Sequence, residues 1–216
     1  MDARGPEISV VLSTYNRAAL LPAALEALLD QVGGAAYEII VVDNNSTDDT
    51  RRVVGAFAER SGGRLRYAFE PRQGLSYGRN TGIDLARAPI VAFTDDDVRV
   101  AADWVMRMRE VFEQEPDIDY IGGRVLPQWR CPPPRWLTDA HWAPLALQDY
   151  GPEPFVTGRE RAICLVGANL AFRRRVFDRV GLFHPALQRV GDGIGSTEDH
   201  EFQLRVWQAG LRGLYA

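Results

Sequence analysis

Three consecutive carboxylates, Asp95, Asp96 and Asp97, follow the apolar run 88–93 and are the residues whose types and spacing first suggest chemistry. Two such charges about 5 Å apart repel by roughly 3 kcal/mol at an effective dielectric constant near 20. Solvent, a helix N-terminus or a cation could compensate for that repulsion. Carboxylates suit Mg²⁺ or Mn²⁺, particularly when phosphate supplies further oxygen ligands. The alternative is that the acids cap a helix predicted to begin near Ala101.

Polar residues also follow the first predicted strand, in the segment "STYNR". Thr14 and Tyr15 could hold a nucleobase or a ribose. The alternative is a polar turn in which Asn16 caps the next helix. The segment has no glycine, so the G-x-G-x-x-G turn of a Rossmann dehydrogenase is absent.

The second predicted strand ends in "VVDNNSTDDT". Asp43 could accept hydrogen bonds from a nucleobase. Ser46 and Asp49 match the spacing of a helix capping box. We expect both roles: Asp43 binds a ligand and Ser46 caps the helix.

The segment "GLSYGRNTGI" places Arg79 in a predicted helix that Gly78 and Gly82 interrupt. Glycine inside a helix costs about 1 kcal/mol relative to alanine, so the two glycines indicate close approach of another backbone. Arg79 is a candidate partner for a diphosphate or a base. The alternative is an ordinary surface arginine.

Near the end of the chain, "STEDHEF" begins an amphipathic helix. A helix N-terminus favours negative charge, so we expect Asp199 to stay ionised, as a general base must. The alternative is that Asp199 forms a capping box with Ser196. Three glycines in the preceding loop, Gly191, Gly193 and Gly195, would give it freedom to admit a substrate.

These residues have to be positioned by alternating short strands and helices, which predict a parallel sheet covered on both faces. Ligands of such sheets bind outside the carboxyl ends of the strands, where the polar segments Ser13–Asn16, Asp43–Ser46 and Asp95–Asp97 are predicted to lie. The predicted strands are Glu7–Ser13, Tyr37–Val42, Arg64–Phe69 and Ile90–Phe93, with a late strand near Tyr215, and regular structure resumes at Ala162–Phe172. The predicted helices are Leu20–Val32, 47–61, 76–87, Ala101–Gln114 and Arg174–Val180, followed by one carrying Phe202, Val206 and Ala209.

The alternation breaks after Tyr120, and the segment Leu126–Arg161 is rich in proline and tryptophan. Its length predicts either an active-site loop or a disordered segment. Trp129, Trp136 and Trp142 could stack on sugar rings, but we favour packing roles, with one of the three touching an acceptor.

Composition excludes several classes of protein. The 216 residues suffice for one domain with a substantial core, and the net charge of -4 argues against a nucleic-acid surface. All 25 basic residues are arginine, so a P-loop, which needs a lysine, is excluded. The two cysteines lack metal spacing and predict a reduced, cytoplasmic protein. No segment of the sequence predicts a signal peptide or a transmembrane helix.

Six segments occur in the order found in family-two glycosyltransferases, which this sequence therefore resembles: "STYNR", "VVDNNSTDDT", "GLSYGRNTGI", "VAFTDDDV", "VGANLAFRR" and "STEDHEF". The resemblance implies the α/β GT-A fold, with a mostly parallel central sheet flanked by helices and a small acceptor-side subregion. It also implies an inverting, metal-dependent transfer from a nucleoside-diphosphate sugar, with a UDP-sugar favoured as donor. We expect one domain over 1–216, with a nucleotide-sugar-binding half at 1–120 and an acceptor-binding half at 121–216.

The resemblance assigns a role to individual residues. Asp199 is the expected catalytic base, supported by Glu198, and Asp97 the ligand of a bound Mn²⁺ or Mg²⁺. The sugar and acceptor region is expected to include Gly122, Gly167, Asn169 and Trp136. The nucleotide pocket is expected to include Thr14, Tyr15, Asn16, Asp43, Asn45, Arg79, Asp95 and Asp96.

The sequence departs from the family pattern at its end. Family members commonly continue further, often with a histidine that completes the metal shell. None of His141, His184 and His200 takes that place, so we expect the acceptor-binding half to be truncated. The expected acceptor is a carbohydrate, a lipid-linked or another hydroxyl compound, and the expected location is cytoplasmic, including the inner membrane face.

Two other functions remain open from the residues. A sugar-phosphate nucleotidyltransferase should carry a glycine-rich, basic N-terminal loop, which "STYNR" is not. A non-catalytic nucleotide-sugar-binding module would have no need for both the acid triplet and Asp199.

Overall fold

Eight strands and six α-helices position the candidate residues in a computed structural model, which describes residues 5–188 and 197–216. The strands are β1 (Ile8–Thr14), β2 (Tyr37–Asp43), β3 (Leu65–Phe69), β4 (Ile90–Asp95), β5 (Tyr120–Gly122), β6 (Phe155–Thr157), β7 (Leu170–Arg173) and β8 (Gly213–Tyr215). The helices are α1 (Leu21–Leu29), α2 (Thr50–Arg60), α3 (Leu75–Leu85), α4 (Trp104–Gln114), α5 (Arg174–Val180) and α6 (Glu198–Gln208).

The strands form one mixed sheet in the order β3-β2-β1-β4-β7-β5-β8-β6. The first four strands along the chain are parallel, whereas β7 pairs antiparallel with β4 and β5. In this register Ser13 of β1 lies beside Asp95, and Thr14 lies beside Asp43 of β2. The polar strand ends therefore meet at one edge, as the rule for open α/β sheets predicts.

Each face of the sheet is covered by helices, as expected for strands that read as continuous apolar runs. Val10 and Leu12 of β1 pack on the face covered by α1, α2 and α4. Val11 belongs to the opposite core, which includes residues of α3, α5 and α6. This alternation also fixes which face each side chain at a strand end joins.

The glycines of α3 allow that helix to lie directly on β1. A Cβ added at Gly78 would come closer than 3.0 Å to Ser13 Oγ, and one at Gly82 equally close to Val11. Real Cβ atoms essentially never approach other atoms so closely. Close packing at these two glycines is therefore present, but the neighbouring atoms belong to side chains and not to another backbone, as had been predicted.

Two predicted helix starts are wrong by three residues, and both have local causes. Helix α2 begins at Thr50 because Asp48 Oδ1 accepts a hydrogen bond from the Thr50 N–H at 3.0 Å. The expected Ser46 cap is wrong, since Ser46 Oγ accepts from the Asn16 N–H instead. Helix α4 begins at Trp104 with Asp103 as its N-cap residue, so the acid triplet does not cap it.

The proline-rich segment 126–161 contains structure that the sequence did not predict. It includes two short 3-10 turns, at Asp139–His141 and Ala143–Leu145, and strand β6. Among the described residues no helix is long and apolar enough to cross a membrane.

Candidate active site

The three acids have different partners: Asp95 is the last residue of β4, whereas Asp96 and Asp97 lie in the turn that follows. Asp96 is buried and accepts hydrogen bonds from Thr14 Oγ1 at 2.7 Å and Arg17 Nη1 at 3.0 Å. Asp97 is half exposed, and its Oδ2 lies 2.7 Å from the same Arg17 nitrogen. Arg17 thus provides the compensating cation for two of the three acids.

Asp95 is the acid whose charge is least compensated. Its pKa is raised to about 6, mainly by burial; Arg79 lowers the pKa, and the carboxylates of Asp199, Asp97 and Asp96 contribute to the rise. Burial also raises the pKa of Asp96, against the hydrogen bonds from Thr14 and Arg17. A cation placed beside these groups would stabilise their ionised forms.

Arg79 lies almost entirely buried, with 4% of its side chain exposed, at the centre of a charged cluster. Its Nη1 forms a short ion pair with Asp199 Oδ1 and lies 3.7 Å from Glu198 Oε1. The guanidinium also stands 5.3 Å from the Phe183 ring centroid, an arrangement that favours a cation. The Arg79 guanidinium therefore interacts electrostatically with the carboxylates of Asp199, Asp95 and Glu198.

This position gives Arg79 protein partners that its expected nucleotide role did not anticipate. The expected contact with a diphosphate stays a prediction. In the described structure Arg79 holds Asp199, and a carboxylate held by a buried guanidinium has a fixed orientation.

Two further residues fix the surroundings of Asp199. Gly167 lies against the ion pair, since a Cβ there would come closer than 3.0 Å to both Arg79 Nη2 and Asp199 Oδ2. Gln203, one turn along α6, accepts from the Leu165 N–H and donates to the Leu165 carbonyl, both at 2.8 Å. The helix carrying Asp199 is thereby tied to the segment that leads to Gly167.

The candidate nucleotide-binding residues lie together at the ends of β1 and β2. Asp43 is buried, and its carboxylate accepts from the Ser46 N–H at 2.9 Å and from Tyr67 Oη at 2.8 Å. Burial and this hydrogen bond to Asp43 raise the pKa of Tyr67 to about 12. Tyr15 is 41% exposed, which leaves its ring available to a ligand.

Two asparagines shape the turns around that pocket. Both Asn16 and Asn45 adopt positive φ, at 51° and 69°, a conformation that asparagine tolerates better than most residues. The Asn16 side chain accepts from the Thr47 N–H at 2.8 Å and so joins the two turns, rather than capping the helix that follows it. Their expected roles in nucleotide binding stay predictions.

The residues expected to bind the sugar and the acceptor do not all lie together. Asn169 connects the turn at 167–169 to its surroundings: it accepts from Trp104 Nε1 at 2.8 Å and donates to the Arg124 carbonyl at 3.0 Å. Gly122 packs against Leu165, where a side chain would not fit.

Two of the three tryptophans of the proline-rich segment are exposed, although packing was favoured for all but one of them. Trp136 is 67% exposed and has His141 as an edge-on neighbour, and Trp129 is 44% exposed. Trp129, not the expected Trp136, lines the cavity beside the acid triplet. Trp142 is partly buried.

The donor set fits a Mg²⁺ or Mn²⁺ ion that a substrate helps to bind. Among residues 5–188 and 197–216 no group of three or more His, Cys, Asp or Glu side chains could hold an ion. Such ions commonly take one or two carboxylates together with substrate phosphates and water. The half-exposed carboxylate of Asp97, beside the partly buried Asp95 and the buried Asp96, has the oxygen chemistry for that arrangement.

Arg17 was not predicted as a site residue from the sequence. Some of the residues that were predicted lie outside the described ranges. Arg17 and Asp96 are 79 positions apart, so local spacing carries no signal of their contact. The sequence indicated only that the carboxyl ends of β1 and β4 should lie at the same edge of the sheet. Ser196 and the glycines at 191, 193 and 195 lie outside the described residues.

Comparisons with known proteins identify the family of the chain. Residues 9–181 match the family described as Glycosyl transferase family 2. A glucosyl-dolichyl phosphate glucuronosyltransferase of Haloferax volcanii is 29% identical over 212 residues, covering 97% of this chain and 66% of that protein. A validoxylamine A glucosyltransferase of Streptomyces hygroscopicus is 41% identical over 103 residues, covering 46% of this chain and 24% of that protein. The chain thus spans at most about two thirds of these relatives.

Solved structures share the fold at low sequence identity. S. aureus TarS superposes with a TM-score of 0.74 at 18% identity, covering 97% of this chain and 35% of that one. The mannosyltransferase PcManGT from Pyrobaculum calidifontis, in complex with GDP-Man and Mn²⁺, gives 0.63 at 21% identity, covering 86% and 49%. The expected α/β fold, a central sheet flanked by helices, is confirmed. Because the family model matches most of the chain and the fold agrees, the chain belongs to glycosyl transferase family 2.

Proposed function

We propose that the chain transfers a sugar from a nucleoside-diphosphate sugar, with a UDP-sugar as the favoured donor, to a hydroxyl group of an acceptor, with inversion at the anomeric carbon. The observation that carries the proposal is the convergence of Asp95, at the end of β4, and Asp199, at the start of α6, on the buried Arg79. A separate base and a separate anion-binding region are the two parts that such a displacement needs.

Asp199 is the proposed general base. In the step, the acceptor oxygen bonds to the anomeric carbon as the bond to the diphosphate oxygen breaks, and the hydroxyl proton passes to Asp199. Arg79 and Gly167 hold that carboxylate in one position, and Glu198 supports the pair through the same guanidinium. A positioned general base typically contributes a factor of about 10² to 10⁴ in rate.

The donor diphosphate is proposed to lie at the ends of β1, β2 and β4. Thr14, Tyr15 and Asp43 would bind the nucleoside, and Asp97 would hold a divalent cation against the phosphates. When bound, such an ion stabilises the negative charge that develops on the departing diphosphate. Two structures with the same fold support the use of a nucleotide donor and a divalent ion, since TarS was determined with UDP and PcManGT with GDP-Man and Mn²⁺.

The proposed location is the cytoplasm, including the inner face of the membrane. Both cysteines are free: Cys131 is exposed, and burial raises the pKa of Cys164 to about 12, which makes that thiol unreactive.

Transfer assays with Asp199→Asn test the proposal. The substitution keeps the shape of the side chain but removes the base, so we expect turnover to fall by about 10²-fold or more while nucleoside-diphosphate binding persists. Glu201→Gln is the matched control: it lies in the same first turn of α6, and its carboxylate pairs with Arg205 instead. Transfer by Asp199→Asn at the wild-type rate would refute the assignment. Nucleotide binding without transfer by the wild type would instead favour a non-catalytic binding module.

A further inference from the structure

Asn80 follows Arg79 in α3 and holds the backbone of Phe183, which lies 103 positions further along the chain. The Asn80 amide donates from Nδ2 to the Phe183 carbonyl at 2.9 Å, and its Oδ1 accepts from the Phe183 N–H at 3.0 Å. Phe183 lies between α5 and the 3-10 turn Pro185–Leu187, outside the strands and helices that would pair its backbone groups. Because a buried backbone group needs a hydrogen-bond partner, the Asn80 side chain fixes where Phe183 lies.

The ring of Phe183 is buried and contacts residues of three elements that carry the candidate site. It stacks on Phe202 of α6 with the ring centroids 4.4 Å apart, and it packs edge-on against Phe93 of β4 at 5.6 Å. The Arg79 guanidinium lies 5.3 Å from the centroid of the Phe183 ring and 5.8 Å from that of Phe93. Because the face of an aromatic ring attracts a cation, the position of these rings helps to set the position of the guanidinium.

Both partners of the ion pair between Arg79 and Asp199 are therefore in contact with this ring or close to it in the chain. Arg79 lies beside the ring itself, and Asp199 precedes Phe202 by three residues, about one turn of α6. Side chains in a close-packed interior transmit a shift of one group to its neighbours. A displaced Phe183 would thus move the guanidinium, the first turn of α6 or both, and with them the carboxylate of Asp199.

We infer that Asn80 is a positioning residue for the transfer reaction: it holds Phe183, and through Phe183 and Arg79 it keeps the Asp199 carboxylate in its productive orientation. Asn80 acts through protein contacts and touches neither the donor nor the acceptor. The inference rests on the proposed function and adds a residue that the base depends on.

Steady-state transfer kinetics of Asn80→Ala test this role. The substitution removes both hydrogen bonds to Phe183 and no charge, so we expect kcat to fall by about tenfold or more because the base is misplaced. The KM for the donor, and the Kd of the tightest-binding of UDP, GDP and dTDP, should change by less than about threefold, since a positioning residue acts on the reaction step.

Ser61→Ala is the matched control. Ser61 is buried after α2, where its Oγ donates to the Ala58 carbonyl at 2.7 Å and accepts from the Leu65 N–H at 3.2 Å. This variant therefore also loses two side-chain bonds to the backbone, but at the amino end of β3, away from the candidate site. Both variants should lower the melting temperature by about 2–8 °C, and only Asn80→Ala should lower kcat. A wild-type kcat in folded Asn80→Ala, or an equal fall in Ser61→Ala, would overturn the inference.

A double-mutant cycle shows whether Asn80 acts through Asp199. Adding Asn80→Ala to Asp199→Asn should reduce the residual transfer rate by less than about threefold, because the base that Asn80 positions is already absent. A further tenfold loss in that background would overturn the inference. Wild-type transfer by Asp199→Asn alone would refute the proposed base, so a failure of the proposed function is detected separately.

A spectroscopic measurement tests the same contact without turnover. The nitrogen-proton spectrum of the arginine side chains should contain a signal of Arg79, identified by its absence in Arg79→Lys. Asn80→Ala should shift or broaden this signal because the guanidinium loses its fixed environment, whereas Ser61→Ala should leave it unchanged. Phe183→Leu, which keeps an apolar side chain but removes the ring, should have the same effect and serves where Asn80→Ala does not fold. An Arg79 signal that neither Asn80→Ala nor Phe183→Leu changes would overturn the inference.

Discussion

Replacing Gly167 by alanine should disable the candidate base without changing any charged residue. Gly167 does not need positive φ, so alanine fits its backbone. Its Cβ, however, would come closer than 3.0 Å to Arg79 Nη2 and Asp199 Oδ2, where ordinary contacts are 3.4–4 Å. One or both charged groups must therefore retreat by roughly 1 Å.

A displacement of that size can cost about 10²-fold in rate when it moves a catalytic group, and overpacking costs about 1–3 kcal/mol of stability. We expect turnover of Gly167→Ala to fall by about 10²-fold, measured as initial rates of sugar transfer at saturating donor. The affinity for the nucleoside diphosphate should change by less than about threefold, because the atoms nearest to the added Cβ belong to Arg79 and Asp199 and not to Thr14, Tyr15, Asp43 or Asp97.

Gly158→Ala is the matched control for this substitution. The nearest atom to a Cβ there is the Leu211 carbonyl oxygen at 3.7 Å, an ordinary contact. Its turnover and melting temperature should match the wild type. If folded Gly167→Ala transferred sugar within about threefold of the wild-type rate, the geometry assigned to Asp199 would be refuted.

Three more predictions concern charge and packing. The pKa of Asp95 rises from 3.8 in the unfolded chain to about 6 in the folded one, so the free energy of unfolding should fall as pH rises between these values, by at most about 3 kcal/mol. Urea titrations of Asp95→Asn should not show this fall. Arg17→Ala removes a cation 2.7 Å from Asp97, so spin-resonance titration should show about two- to fivefold tighter Mn²⁺ binding, and an unchanged affinity would contradict Asp97 as a ligand. Gly82→Ala should destabilise the protein by about 1–3 kcal/mol because its Cβ would clash with β1. Gly55→Ala, where a Cβ would have no atom within 4 Å, should stabilise the protein by about 0.5–1 kcal/mol. Thermal melts in which both variants shifted the melting temperature in the same direction would refute the packing argument.

The general position of the site follows from sequence because it depends on short-range patterns. Apolar runs followed by polar residues predict parallel strands with a functional edge, and the register of β1 against β2 and β4 brings those ends together as expected. The two glycines of α3 likewise have a local meaning, since a small residue within a helix indicates close packing.

The pairings within the site could not be read from sequence, since they join residues that are far apart along the chain. Arg79 and Asp199 are 120 positions apart, and no local spacing distinguishes a guanidinium that binds a ligand from one that holds a base. The same applies to Arg17 and Asp96. Helix starts are also hard to predict where two polar residues could accept the first backbone hydrogen bond. At the start of α2 Asp48 accepts it, whereas Ser46 bonds to Asn16.

Calorimetric titration of Asp97→Asn with the tightest-binding of UDP, GDP and dTDP tests most directly whether the acid triplet holds a cation together with a diphosphate. The account predicts that Mn²⁺ strengthens nucleotide binding to the wild type, and that the substitution lowers the affinity in Mn²⁺ by about tenfold or more. Asp84→Asn, which removes an exposed acid at the far end of α3, should behave as the wild type. Equal affinities of wild type and Asp97→Asn, with and without Mn²⁺, would contradict the account.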